Sequence, residues 1–157
     1  MICGIQYPDI AEELPCHIHA ETCILGAVML DNSRLAELTA LEPDDFSLDA
    51  NRQIYHRMAE MNKNGVPVDI VTLSNELARC KEIEGIGGRA YLFSLTEGLP
   101  QRTALAHYIA ILKEKSKLRR IWAACETAIH QCREQSMFAA EIVKEMGQAL
   151  KGIGGKR

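Results

Sequence analysis

The stretch from Thr103 to Arg133, TALAHYIAILKEKSKLRRIWAACETAIHQCR, contains neither glycine nor proline. Within it Leu105, Tyr108, Ile109, Leu112, Leu118, Ile121, Trp122, Cys125, Ile129 and Cys132 recur at three- and four-residue intervals, the period of a helix face. One helix of that span is about 45 Å long, too long to lie wholly inside a small head. A break near Gln135-Ser136 precedes a last predicted helix, Met137 to Leu150, with Phe138, Ile142, Val143, Met146 and Leu150 as its apolar face. The two make an antiparallel hairpin that overhangs the rest of the chain. Two helices alone cannot hide that much apolar surface, so self-association through the terminal stripe is expected. Ile142→Glu or Met146→Glu is expected to weaken it.

Upstream the same period recurs in shorter pieces, while alternating β-branched runs are scarce and aromatics make up only 5%. The pattern predicts helices over His19–Leu30, Arg34–Leu41, Ala50–Lys63 and Ile70–Cys80. A short one follows, carrying Tyr91, Leu92 and Leu95. Asp31-Asn32-Ser33, Asn64-Gly65, Gly85-Ile86-Gly87-Gly88 and Gly98-Leu99-Pro100 punctuate them. Pro43-Asp44-Asp45-Phe46 reads as a turn with one buried anchor, Phe46. The fold expected is all-α, a multi-helix head over residues 15–102 followed by a two-helix hairpin over 103–151. An extension, 1–14, and a flexible glycine-rich tail, 152–157, flank them.

The chain has 157 residues, 47% apolar and 25% charged, with a formal net charge of −3. That is the balance of an ordinary globular protein and not of a disordered chain or of a nucleic-acid binder driven by bulk charge. No apolar run reaches the ~20 residues of a membrane helix. The opening residues do not read as a signal peptide, so a cytoplasmic protein is expected. Of the six cysteines, Cys125 and Cys132 sit seven apart on one helix face, too far along the axis to bridge each other. All six are expected to be reduced thiols. The run Cys16-His17-Ile18-His19-Ala20-Glu21-Thr22-Cys23 holds possible zinc donors but lacks a second paired-cysteine motif, so no metal is expected.

No catalytic motif is expected to operate. Gly85-x-Gly87-Gly88 follows a helix where a phosphate-cradling loop follows a strand. The tail Gly152-Ile153-Gly154-Gly155-Lys156-Arg157 lacks the spacing and the hydroxyl residue of a P-loop. Neither catalytic residues nor cofactors are assigned. Lys113, Lys115, Lys117, Arg119 and Arg120 wrap around most of their helix and read first as a solvated stretch. A docking surface for an acidic partner or a nucleic-acid backbone is the alternative.

Several ordered pieces are similar to one family. Leu14-Pro15, Ile18, Ala20-Glu21 and Ile24-Leu25-Gly26-Ala27-Val28-Met29-Leu30-Asp31-Asn32 resemble the opening of the N-terminal domain of DnaB-type replicative helicases. Pro43-Asp44-Asp45-Phe46, Arg52-Gln53-Ile54-Tyr55 and Gly65-x-Pro67-Val68-Asp69-x-Val71-Thr72 with Glu76-Leu77 follow in order. Then come Ile86-Gly87-Gly88-x-x-Tyr91-Leu92, Tyr108, Glu114-Lys115 and Leu118-Arg119-Arg120. The likeness runs from about Leu14 to Leu150.

The resemblance implies an all-helical head and hairpin whose hairpins pair to build the collar of a hexameric ring. It implies docking of the primase C-terminal domain there, and control by helicase loaders. By the same resemblance the partner contacts fall on Tyr91 of the head and on Arg119 and Trp122 of the hairpin. Core or surface roles are the plain alternative for each. Cys16 stands where the family often has His, His19 where it often has Glu, and Ala104 where Asn is common at the hairpin entrance. No Walker motif occurs in these 157 residues, so neither ATP hydrolysis nor unwinding is expected of them. The alternative reading is a stand-alone regulator or loader that binds an intact helicase. A zinc hydrolase built on Cys16, His19 and Cys23 and a DNA binder built on the Lys113–Arg120 cations are the more distant rivals.

Overall fold

The computed structural model describes residues 14–100, 104–135 and 137–154. The predicted extension up to Glu13, the hairpin entrance at Thr103, Ser136 of the predicted break and the last three residues lie outside them. Among the described residues every regular element is helical.

Helix α1 (Ile18–Leu30) is the axle of the head. Its residues from Cys23 to Met29 are all buried, which is why it reads as apolar on every side. His17 starts it, its Nδ1 accepting from the Ala20 amide at 3.1 Å. Asp31 turns extended and stops it. The Asp31 carboxylate then caps the next element by accepting from the amide and hydroxyl of Ser33.

That element is not the α-helix expected over Arg34–Leu41. It is a 3-10 helix, Asn32–Ala40. Three residues per turn eclipse positions three apart, and Leu35, Leu38 and Leu41 are spaced by three and all buried. Tyr55 fixes this stretch from further along the chain, its hydroxyl lying 3.1 Å from the Leu38 carbonyl and 2.9 Å from that of Leu41. A 3-10 turn at Pro43–Asp45 follows. It delivers Phe46 into the core with its ring centroid 4.9 Å from that of Tyr55.

Helix α2 (Asp49–Lys63) buries Ile54, Met58 and Met61 and ends at Asn64, ahead of Gly65 with φ +70°. Helix α3 (Ile70–Arg79) is opened by Asp69, whose carboxylate accepts from the Val71 and Thr72 amides while its own amide donates to the Thr72 hydroxyl. The corner at Gly87 and Gly88, both at positive φ, leads into α4 (Gly88–Ser94).

Helix α5 (Leu105–Glu134) runs for 30 residues and starts at Ala104 with no side-chain cap. Leu105, Leu112 and Ser116 are buried against the head, and beyond Ser116 no described residue of α5 is. Helix α6 (Ala139–Gly154) returns along that outer half. It extends beyond the Leu150 expected for its end and takes in Gly152 to Gly154, the start of the predicted tail. The pairing is antiparallel. Gln131 Nε2 donates to Glu145 Oε2 at 2.8 Å, and Ala124, Thr127 and Ala128 lie alongside Met146 and Ala149. Small residues on α5 let the two backbones approach, and Ile142, 8% exposed, fills the seam.

Candidate functional site

The outer half of α5 carries two faces. One, around Ala124, Thr127, Ala128 and Gln131, is covered by α6. The other is the apolar stripe Leu118, Ile121, Trp122, Cys125 and Ile129, which no element among the described residues covers fully and which lines a groove of about 350 Å³. Pro15, from the segment before α1, closes the groove at its head end, and Glu126 stands among the lining residues. On α6, Phe138 just before the helix, Val143 and Leu150 are exposed, at 81%, 71% and 38%. Helical geometry turns Val143 and Leu150 to the same side of the hairpin as the first stripe. A neighbouring recess of about 310 Å³ brings Cys132 of α5 together with Ala139 and Val143 of α6. The hairpin therefore presents one apolar face made by both helices.

The residues expected on the terminal stripe thus divide. Phe138, Val143 and Leu150 are exposed, Met146 is half-buried beside α5, and Ile142 is turned into the seam. Adjacent positions on a helix differ by 100°, so a wide stripe includes both the seam and the face beside it.

The three residues expected to meet a partner also occupy different settings. Trp122 lies half-buried in the groove. Arg119 faces the head: its Nη1 donates to the Pro15 carbonyl at 2.9 Å, and its Nη2 to the Asp44 and Asp45 carbonyls at 3.1 and 2.7 Å. Tyr91 is half-buried on α4, and its hydroxyl donates to Asn51 Oδ1 at 2.6 Å. Burial chiefly, and the nearby Glu21 charge, push the Tyr91 phenol above its ordinary pKa.

Three of the five cations in the basic run of α5, expected to be a solvated stretch, are bonded to the head. Lys113 Nζ lies 2.6 Å from Asp45 Oδ2, and Arg120 Nη2 donates to Glu42 Oε2 at 3.2 Å. With Arg119 they clamp α5 onto the Glu42–Asp45 turn. Asp45 is 2% exposed and also accepts from the Glu42 amide at 2.8 Å and from Ser116. Burial pushes its carboxyl up. The hydrogen bonds from Lys113, Glu42 and Ser116, with the Lys113 charge, outweigh it and leave the carboxyl below the ordinary aspartate value.

A group depressed in the folded state stabilises above its unfolded pKa, near 3.9 for Asp, and the contribution is lost as pH falls through the folded value. Asp45→Asn is accordingly expected to cost about 2 kcal/mol at pH 7, since Lys113 is only part-buried and can rehydrate. Urea unfolding at neutral pH and at pH 3 should show the gap between wild type and variant narrowing in acid. An equal gap at both pH values would contradict the ion-pair origin.

Among the described residues no group of three or more His, Cys, Asp or Glu side chains is placed to hold a metal ion. His17 caps α1. Cys23 is buried, with its Sγ 3.7 Å from His19 Nε2, and burial pushes its thiol pKa up. No helix among the described residues is long and apolar enough to cross a membrane.

Two features escaped the reading of the sequence. One is the clamp above, signalled only by an acidic turn and a distant basic run of matching size. The other is Glu21, 1% exposed, whose carboxylate accepts from the Ser47 amide, the Ser47 hydroxyl and the Asn51 amide group at 2.8, 2.5 and 2.9 Å. Through Asn51 it is linked to Tyr91.

Residues 13–114, well over half of the chain, match the model of the DnaB-like helicase N-terminal domain family. The replicative DNA helicase DnaB of Geobacillus stearothermophilus is 41% identical over 108 residues, 68% of this chain and 24% of that protein. The replicative DNA helicase DnaC of Bacillus subtilis is 38% identical over 144 residues, 91% of this chain and 32% of that protein. The chain thus spans about a quarter to a third of the length of these relatives. Among solved structures, the N-terminal domain of DnaB helicase from Mycobacterium tuberculosis superposes with a TM-score of 0.82 at 27% identity, covering 89% of this chain and 99% of that one. A DnaB-like replicative helicase, described with its interactions with primase, shares the fold at a TM-score of 0.68 and 22% identity, covering 85% of this chain and 31% of that one. An all-helical head and hairpin with this matched sequence has one reading: the chain belongs to the DnaB-like helicase N-terminal domain family.

Proposed function

We propose that this chain is the collar part of a replicative DNA helicase: it pairs with other copies of itself through the hairpin and receives the primase C-terminal domain, without itself supplying the motor. Residues 15–102 act as the head and 103–151 as the associating hairpin, in a cytoplasmic setting. The apolar face shared by Leu118, Trp122 and Ile129 of α5 and Val143 and Leu150 of α6 is the observation that carries this reading. A second copy offers a face of the same shape and chemistry, and pairing two such hairpins closes both. Hiding on the order of 1,000 Å² of apolar surface at about 25 cal/mol per Å² gives ample gross stabilisation before entropy is subtracted. Support for the primase partner comes from the DnaB-like helicase of the same fold and its interactions with primase. A helicase loader is a further partner of the same assembly.

Val143→Glu tests the pairing. The side chain is 71% exposed in the single chain, so folding is expected to be unaffected, while a carboxylate placed in an apolar interface should raise the dimer dissociation constant by at least about tenfold. Ile142→Glu, by contrast, should loosen the hairpin itself. Sedimentation velocity across a concentration series, with far-ultraviolet circular dichroism as the folding check, separates the two. A wild-type chain that stays monomeric when concentrated would end the association reading. For the second half, titration with the cognate primase C-terminal domain, followed by Trp122 fluorescence, should saturate, and no binding would remove primase as the partner.

A further inference from the structure

We infer that Arg119 promotes association without touching the partner: it holds Pro15 against α5 and thereby sets the head-side wall of the groove in which a second copy seats. The inference rests on the self-association reading above. The guanidinium is engaged within the chain, reaching the Pro15 carbonyl with Nη1 and the Asp44 and Asp45 carbonyls with Nη2. These acceptors belong to two separate segments, so one planar fork ties the residues before α1 to the acidic turn across the flank of α5. The turn has further ties through Lys113 to Asp45 and Arg120 to Glu42, and loss of Arg119 leaves it anchored. Pro15 is held by Arg119 through its carbonyl, and it is Pro15 that closes the groove beside Leu118 and Trp122.

A second copy is the occupant that the surface favours. The groove on α5 does not end at the helix edge. Its apolar character continues through the Cys132–Val143 recess onto α6, so the surface spans both helices, as the matching hairpin of a second copy does. Lysine cannot replace Arg119, because a single ammonium cannot reach three carbonyls on two segments in the geometry of a planar fork.

Trp122 is the only tryptophan in the chain, so its emission reports the groove wall directly. The experiment compares wild type, Arg119→Lys, Arg119→Ala and Pro15→Gly in dilute, monomeric solution by fluorescence, and by sedimentation equilibrium over a range of salt concentrations. Each variant should move Trp122 emission to longer wavelength with an unchanged circular dichroism spectrum. Each should raise the dimer dissociation constant about tenfold. Combining Arg119→Ala with Pro15→Gly should add little to either change, since both act through one wall. The slope of log Kd against log salt should match wild type in all of them, because no charge at the interface has been removed.

A variant slope that departs from wild type would identify Arg119 as a direct contact and overturn the inference, as would unchanged emission and affinity in Arg119→Lys. Should Arg119→Ala fail to fold, Arg119→Lys and Pro15→Gly carry the same comparison. A wild type that never dimerises overturns the association reading and this inference together, whereas a dimerising wild type with indifferent Arg119 variants overturns only the latter.

Discussion

Replacing Gly26 by alanine is expected to destabilise the protein by about 3 kcal/mol, although alanine is the better helix former by about 1 kcal/mol. A Cβ at this position of α1 would lie 1.9 Å from the Leu95 carbonyl oxygen, 2.9 Å from the Leu95 carbonyl carbon and 2.9 Å from Leu99 Cδ1. The first two are backbone atoms just past α4, and no rotamer change moves them aside. Relief requires α1 to separate from the end of α4, where Leu92 and Leu95 are buried in the same core as Ile24, Leu25 and Val28. The loss of close packing there outweighs the gain in propensity. At this chain length such a change lowers the melting temperature by about 6–12 °C. Gly147→Ala in α6 provides the opposite sign, because no atom of the described residues lies within 4 Å of its added Cβ and only the propensity gain remains. Thermal unfolding of the two variants beside wild type is the measurement. A Gly26→Ala protein as stable as wild type would mean that α1 and α4 do not meet as described.

This pair of glycines shows which parts of the fold can be read in the chain. Helix boundaries were legible where the signal is local: Asp69 caps α3 two and three residues ahead, and Gly65 ends the α2 region one residue beyond Asn64. The heptad-like run of α5 was legible for the same reason. The 3-10 stretch was misread because Leu35, Leu38 and Leu41 satisfy a three-residue repeat that also occurs in one face of an α-helix. Gly26 and Gly147 look alike in sequence, and only the neighbour packed on them sets the sign of a substitution.

The candidate site was legible to a similar depth. The apolar stripes of the hairpin could be read from their spacing, as could the presence of Trp122 on one of them. Which residues lie in the seam could not, because Ile142 and Val143 are equally apolar and only the position of α5 decides between them. The clamp was out of reach for another reason. Its partners, Asp45 with Arg119 and Glu42 with Arg120, are more than seventy residues apart, and a charge run on a helix carries no mark of the loop it will meet. The consequence is functional: cations that invite a reading as a nucleic-acid surface are in part the fastening that sets the direction in which the hairpin leaves the head.

Glu21→Ala is expected to cost about 3–4 kcal/mol, the largest loss of any polar substitution in the head. The carboxylate sits ahead of α2, whose N-cap Leu48 has no side-chain oxygen to satisfy the free amides of the first turn. Glu21 supplies an acceptor from α1 for the N-cap amide and for the residues beside it. It takes the Ser47 amide and hydroxyl on Oε1, and the Leu48 amide at 3.4 Å and Asn51 Nδ2 at 2.9 Å on Oε2. Its negative charge also meets the positive end of the α2 dipole. Alanine would leave the buried Asn51 amide and the half-buried Ser47 without their acceptor and free Asn51, which holds Tyr91 through its other amide atom. Glu21→Gln preserves the shape but points an NH₂ group at a ring of donors, so it should recover only part of the loss. Tyr91→Phe removes only the last link and should cost about 1 kcal/mol. Urea denaturation of the three variants should therefore rank Glu21→Ala below Glu21→Gln and Glu21→Gln below Tyr91→Phe. If Glu21→Gln proved as stable as wild type, the carboxylate would not be serving as the cap of α2, and the link from α1 through Asn51 to Tyr91 would lose its physical basis.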